Sequence, residues 1–116
     1  MPLVDTHAHL HFPEFAEDLD AVLDRARQAG VATTVTIGTD RETNPAAVAL
    51  AERLEGVYAT VGIHPHDAAD ATEDDFAALE RLARMSPKVV ALGEMGLDFF
   101  RNLSPHPVQE RVFRRQ

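Results

Sequence analysis

Hydrophobic positions along the 116-residue chain switch between two rhythms four times over: compact β-branched runs, then stripes spaced three and four residues apart. Leu3 to His7 is a short run that predicts a buried strand. Pro13 breaks it, and Phe15, Leu19, Val22, Leu23 and Ala26 then mark one face of a helix closed by Gly30. Val31 to Ile37, rich in Val, Thr and Ile and stopped by Gly38, predicts the second strand. Asn44-Pro45 offers an N-cap and a first-turn proline to a helix carrying Ala47, Leu50, Ala51 and Leu54, with Gly56 beyond it. Val57 to Ile63 is the third strand, followed by a His64-Pro65-His66 loop. Thr72 with Asp75 three residues on resembles a capping box for a helix bearing Phe76, Leu79, Leu82 and Ala83, which Pro87 prevents from continuing. Val89 to Gly93 is the fourth strand. Ser104-Pro105 opens a last helix whose Val108, Val112 and Phe113 are expected to face one way.

Apolar strands alternating with amphipathic helices define an α/β fold with a parallel sheet. Four units in 116 residues give about 29 each, the pitch of a TIM (β/α)₈ barrel that typically needs ~250 residues. Residues 1–116 are therefore expected to be a single partial domain, four βα units forming the first half of such a barrel. A small open doubly wound sheet is the alternative. The last stripe runs into Arg114-Arg115-Gln116 without a glycine or proline stop, which favours a truncated barrel.

Composition narrows the chemistry. There is no cysteine, so disulfides, thiolate metal sites and thiol nucleophiles are excluded, and any metal must be held by histidine, carboxylate or water. Nineteen acidic against eleven basic side chains, a net charge of −8, argue against nucleic-acid binding by charge alone. Lys88 is the single lysine, and only Arg111, Arg114 and Arg115 cluster. A phosphate substrate would need a metal or a local pocket. With no apolar run near the ~20 residues of a membrane span and no charged-then-apolar leader, a cytoplasmic protein with no membrane contact is expected.

Three segments carry candidate chemistry. In Asp5-Thr6-His7-Ala8-His9, strand alternation places His7 and His9 on one face at the strand's C-terminal end, where barrel enzymes hold their active sites. Two imidazoles so spaced can share a cation, with Asp5 able to orient a ring from behind; the alternative is a polar strand end. His11 has the same parity but is expected beyond the strand and exposed. Glu94, flanked by glycines after an apolar strand, is a carboxylate costly to desolvate unless paired or metal-bound. His64 and His66 could contact a phosphate or remain solvated loop residues, and Asp98 can form a turn. Phe99-Phe100 reads as a packed loop anchor rather than a base-stacking platform. All three segments end predicted parallel strands, so they converge on one rim, and that convergence favours a metal site.

Asp-Thr-His-Ala-His-Leu at Asp5 to Leu10, Gly-Ile-His-Pro-His at Gly62 to His66 and Gly-Glu-Met-Gly-Leu-Asp at Gly93 to Asp98 together resemble the TatD family of metal-dependent hydrolases, described as deoxyribonucleases. Phosphoesterases of the PHP class share an Asp-x-His-x-His opening but lack the other two motifs. The resemblance implies a TIM barrel in which His7 and His9 bind one divalent ion and Glu94 bridges it to a second. It places His64, with His66, near the substrate phosphate. It further implies DNA phosphodiester hydrolysis by a water activated between two ions, of Zn, Mn or Mg type. Two later histidines and a late aspartate complete the family pattern and have no match here; His106 corresponds to neither. No catalytic residue is assigned on this basis, and the isolated chain is expected to be inactive.

Two alternatives differ in class: a non-catalytic binding or assembly module, and an amidohydrolase-type enzyme on a small ester or amide. In a half-barrel the edges at Leu3–His7 and Val89–Gly93 lack partners, so the isolated chain is expected to self-associate.

Overall fold

The computed structural model describes residues 1–116. Its strands are β1 (Leu3–Ala8), β2 (Val31–Ile37), β3 (Val57–Val61) and β4 (Val89–Leu92). Its helices are α1 (Leu19–Gln28), α2 (Thr43–Arg53), α3 (Glu73–Met85) and α4 (His106–Arg115). The strands form one parallel sheet in the order β1-β2-β3-β4. A doubly wound sheet reverses its strand order at a switch point. A strictly sequential parallel order instead sends every right-handed crossover to the same face, as in one arc of a barrel.

The core lies between that face and the helices. Val57, Ala59 and Val61 point one way from β3 and pack with Ala47, Val48 and Ala51 of α2, Leu79 of α3 and Val112 of α4. Val61, Ala59, Ala47 and Ala51 are fully buried. At roughly 25 cal/mol per Å² of apolar surface removed from water, this layer supplies the main drive to fold.

Local chemistry sets the helix boundaries, in places against expectation. α3 begins at a full capping box: the Thr72 hydroxyl accepts the Asp75 amide, and the Asp75 carboxylate accepts the Thr72 amide. The first predicted helix starts four residues later than Phe15, which belongs to a 3-10 turn at Pro13–Phe15. Asn44 does not cap α2. Asp40 does that work, its Oδ1 accepting the backbone amides of Glu42 and Thr43 at 2.9 and 2.8 Å. Asn44 is 3% exposed and faces β3, donating to the Gly62 carbonyl at 2.8 Å and accepting from the Gly62 amide at 2.9 Å. Its amide thus serves as an extra peptide group at the strand end. Gln116 treats the next residue alike, accepting from the Ile63 amide at 2.8 Å and donating to its carbonyl at 3.1 Å. On α4, Val108 and Val112 face the core as expected, but Phe113 is 41% exposed, one helical position off that stripe.

The outer strands are bare. Every residue of β1 from Leu3 to His7 is exposed, as are Val90 to Leu92 of β4. No helix is long and apolar enough to cross a membrane.

Candidate functional site

The rim at the strands' C-terminal ends gathers the predicted residues through close backbone approach. Gly62 permits it: a Cβ there would lie 2.6 Å from the Gly93 carbonyl carbon and 2.9 Å from the Glu94 nitrogen. With that space open, the end of β4 folds across the end of β3, and the Glu94 amide donates to the Gly38 carbonyl beyond β2 at 2.8 Å. On the other side, the His9 ring reaches over β2 to the Ile37 carbonyl. Glu94 and the β1 histidines therefore meet above the middle of the sheet.

One Glu94 oxygen, Oε2, lies 3.4 Å from His7 Nε2 and 4.0 Å from His9 Nε2. The other, Oε1, lies 3.5 Å from His64 Nε2. His7, His9 and Glu94 each offer one ligand atom, all within 4.8 Å of one another, with His7 exposed and the other two partly buried.

Hydrogen bonding assigns different roles to these rings. The Ile37 carbonyl can only accept, so His9 Nδ1, 3.0 Å away, carries a proton, and in the neutral ring the unshared pair falls on Nε2. That is the tautomer a metal ligand needs, held by the backbone contact that commonly supports one. His64 is the reverse. Its Nδ1 accepts the His66 amide at 3.1 Å, so the neutral ring bears its hydrogen on Nε2, the atom facing Glu94. Burial pushes the His64 ring below its ordinary value, against the pull of Glu94, which keeps it in that neutral form. His64 is therefore a donor beside the cluster.

The remaining candidates sit differently. Asp5 caps backbone: its Oδ1 accepts the His7 amide at 3.0 Å, and the Ile37 carbonyl has the ring-orienting role expected of Asp5. A strand-end carboxylate two residues from an amide closes that local turn more readily than it reaches a ring. His66 engages Asp98 through Nε2. His11 is not exposed; its Nδ1 lies 2.9 Å from the Thr36 hydroxyl, and burial lowers its pKa. Of the two phenylalanines, Phe99 stacks on His106 with centroids 3.9 Å apart, while Phe100 is 93% exposed and anchors nothing. Asp98 forms the expected turn by accepting the Phe100 and Arg101 amides at 3.1 and 3.0 Å. These contacts, the Arg101 amide first and then the His66 ring, pull its carboxyl down to about 2.

Sequence reasoning missed Gln109 and Ser104, both 1% exposed. Their signal was available: a glutamine three residues before Val112, on a stripe that is otherwise apolar, marks a buried amide with a specific partner.

Known proteins resemble this chain in sequence and in fold. The TatD-related DNase family profile matches residues 4–116. A Bacillus subtilis protein named an uncharacterized metal-dependent hydrolase, YabD, is 44% identical over 114 residues, covering 98% of this chain and 44% of its own length. A Cronobacter turicensis protein named 3'-5' ssDNA/RNA exonuclease TatD is 40% identical over 114 residues, with 98% and 43% covered. Among solved structures, the TatD homologue YJJV of Escherichia coli K12 superposes with a TM-score of 0.88 at 36% identity, over 97% of this chain and 44% of that one.

The fold is one arc of a parallel α/β barrel, and the chain belongs to the TatD-related DNase family. It spans about 44% of the length of the relatives it matches, and its four-stranded sheet corresponds to the first half of their barrel.

Proposed function

We propose that this chain provides the first-ion face of a divalent-metal hydrolase site acting on nucleic-acid phosphodiesters. The observation that carries this reading is the convergence of His7, His9 and Glu94, with the His9 tautomer fixed for coordination through Nε2. Two imidazoles and a carboxylate suit Zn²⁺ or Mn²⁺ better than Mg²⁺. A divalent ion held there supplies Lewis acidity toward a phosphoryl oxygen and makes water a better nucleophile at neutral pH.

This chain's own residues do the rest. His9 and His7 present their imidazoles from one edge, and Glu94 would offset the charge of the ion. The second Glu94 oxygen faces away from the pair, toward His64 Nε2, and is the one that would turn to a further cation if the bridging role implied by the family resemblance holds. His64 Nε2–H lies where it can donate to a phosphate oxygen. The exonuclease name of the Cronobacter relative supports single-stranded DNA or RNA as the substrate class. His7, His9 and Glu94 are the chain's one cluster able to hold an ion. The 116 residues alone are accordingly expected to leave oligonucleotides uncut.

Calorimetric titration of Zn²⁺ and Mn²⁺ into the chain tests the assignment. One weak site is expected, lost in the His7→Ala/His9→Ala double variant; equal binding by both proteins would remove it. Metal-dependent cleavage of a single-stranded oligonucleotide by the 116-residue chain, abolished by His9→Ala, would overturn the expectation of inactivity.

A further inference from the structure

One connected group of side chains at the rim has no role in the metal reading. The loop between β4 and α4 grips the turn after β3 at two points. At the first, Asp98 Oδ2 pairs with His66 Nε2. At the second, the Ser104 hydroxyl donates to the His66 carbonyl at 3.0 Å and accepts the Ala69 amide at 2.9 Å. Gln109 ties the two anchors together. Its Oε1 accepts the Asp98 amide at 2.7 Å, and its Nε2 donates to the Asp98 carbonyl at 3.1 Å and the Ser104 carbonyl at 2.7 Å. A buried side-chain amide with all three contacts made is rigid, because losing any of them strands a polar group away from water.

The brace ends at the metal cluster. His66 is held by its ring and by its carbonyl, and its amide donates to His64 Nδ1. The two rings also pack edge to face, with centroids 4.3 Å apart. Freed of that amide, His64 Nδ1 could take the proton, and Nε2 would turn a lone pair toward the Glu94 side. The ring would then be a third imidazole ligand instead of a donor.

We propose that Asp98, fixed by Gln109, is a positioning residue: by holding His66 it keeps the His66 amide on His64 Nδ1 and so keeps His64 a hydrogen-bond donor toward Glu94. The functional consequence rests on the metal reading above; the brace itself does not, since it is made entirely of this chain's own side chains and backbone. Asp98 suits the task because its two oxygens divide the work, Oδ1 on the Phe100 and Arg101 amides and Oδ2 on His66. Its depressed pKa keeps both oxygens acceptors through the working pH range.

The test is long-range ¹H–¹⁵N correlation of the histidine rings in the metal-free 116-residue chain at neutral pH, with amide exchange at His66. The expected wild-type result is a single Nε2–H tautomer at His64 and a protected His66 amide. In Asp98→Ala, His64 should become a mixture of tautomers and the His66 amide should lose protection. Asp98→Asn has one oxygen to share between the turn amides and the His66 ring, so it should fall between the two. A folded Asp98→Ala chain with the wild-type ring signature and unchanged exchange overturns the proposal. If that variant does not fold, wild-type signatures in Asp98→Asn overturn it instead. Failure to bind Zn²⁺ would remove the metal assignment while leaving the tautomer result intact, so the two claims fail separately.

Discussion

β3 and β4 are both short Val/Ala-rich strands, neighbours in one sheet, yet they occupy opposite environments. In β3, Val57, Ala59 and Val61 are at most 1% exposed. In β4, Val90 is 53% and Leu92 42% exposed. Strand composition alone does not bury a strand. It states what the strand requires on each face, and β3 finds this in α2, β2 and β4, whereas β4 finds it on one side only. β1 shares that condition at the other edge, with Leu3 and Val4 more than half exposed.

The sharpest way to break this contrast is to place one substitution in both strands. Val61→Asp puts an unpaired carboxylate into the core and should cost about 4 kcal/mol or more, enough to unfold a marginal domain. Val90→Asp should change the monomer's stability by no more than about 0.5 kcal/mol. Chemical denaturation of both variants measures the difference, and similar losses would mean that β4 is covered in solution.

That leads to the second prediction. Unpaired edges at β1 and β4, with no lysine or proline within either strand, are expected to draw chains together despite the charge of −8, which is screened beyond about 10 Å at 0.1 M salt. Light scattering at micromolar concentration should show dimers or larger species, and Val90→Asp should shift them toward monomer. A wild-type monomer with a cooperative melt would show that the bare edges are tolerated.

A smaller effect is expected at the rim. Because the folded pKa of Asp98 lies at about 2, below its ordinary 3.8, its contribution to stability is complete above the ordinary value. It is lost as pH falls from about 4 to 2. Melting temperatures over that window should drop less steeply in Asp98→Asn than in the wild type.

The smallest change concerns Asp67, whose carboxyl is raised by burial and by Asp40. A raised acid binds its proton more tightly folded than unfolded, so it destabilises once pH exceeds 3.8. Asp67→Asn should raise the melting temperature slightly at pH 7 and leave it unchanged near pH 3.

Much of this was legible in the residues. The strands follow from β-branched runs, α3 from its capping box, and the rim cluster from three motifs that each end a strand. Boundaries resting on a single local signal were less secure. Asn44-Pro45 looks like a cap because local chemistry favours one there, but a bare β3 end with an unpaired amide and carbonyl claimed the asparagine. Phe100 and Phe113 read as core because they are apolar, and sequence alone does not reveal which apolar residues lack a partner. The His66–Asp98–Gln109 brace joins residues up to 43 positions apart and depends on crossovers that no local pattern encodes.

The Asn44 contact also bears on how the protein ages. Asparagine usually deamidates when the following backbone nitrogen attacks the side-chain carbonyl to form a cyclic imide. Pro45 follows Asn44, and its ring nitrogen has no hydrogen to lose, so that ordinary route is closed. Conversion to aspartate would set a carboxylate against the Gly62 carbonyl that the amide now serves, at the very residue over which Glu94 reaches the cluster. The proline in the helix's first turn thereby gives this buried contact a long chemical lifetime.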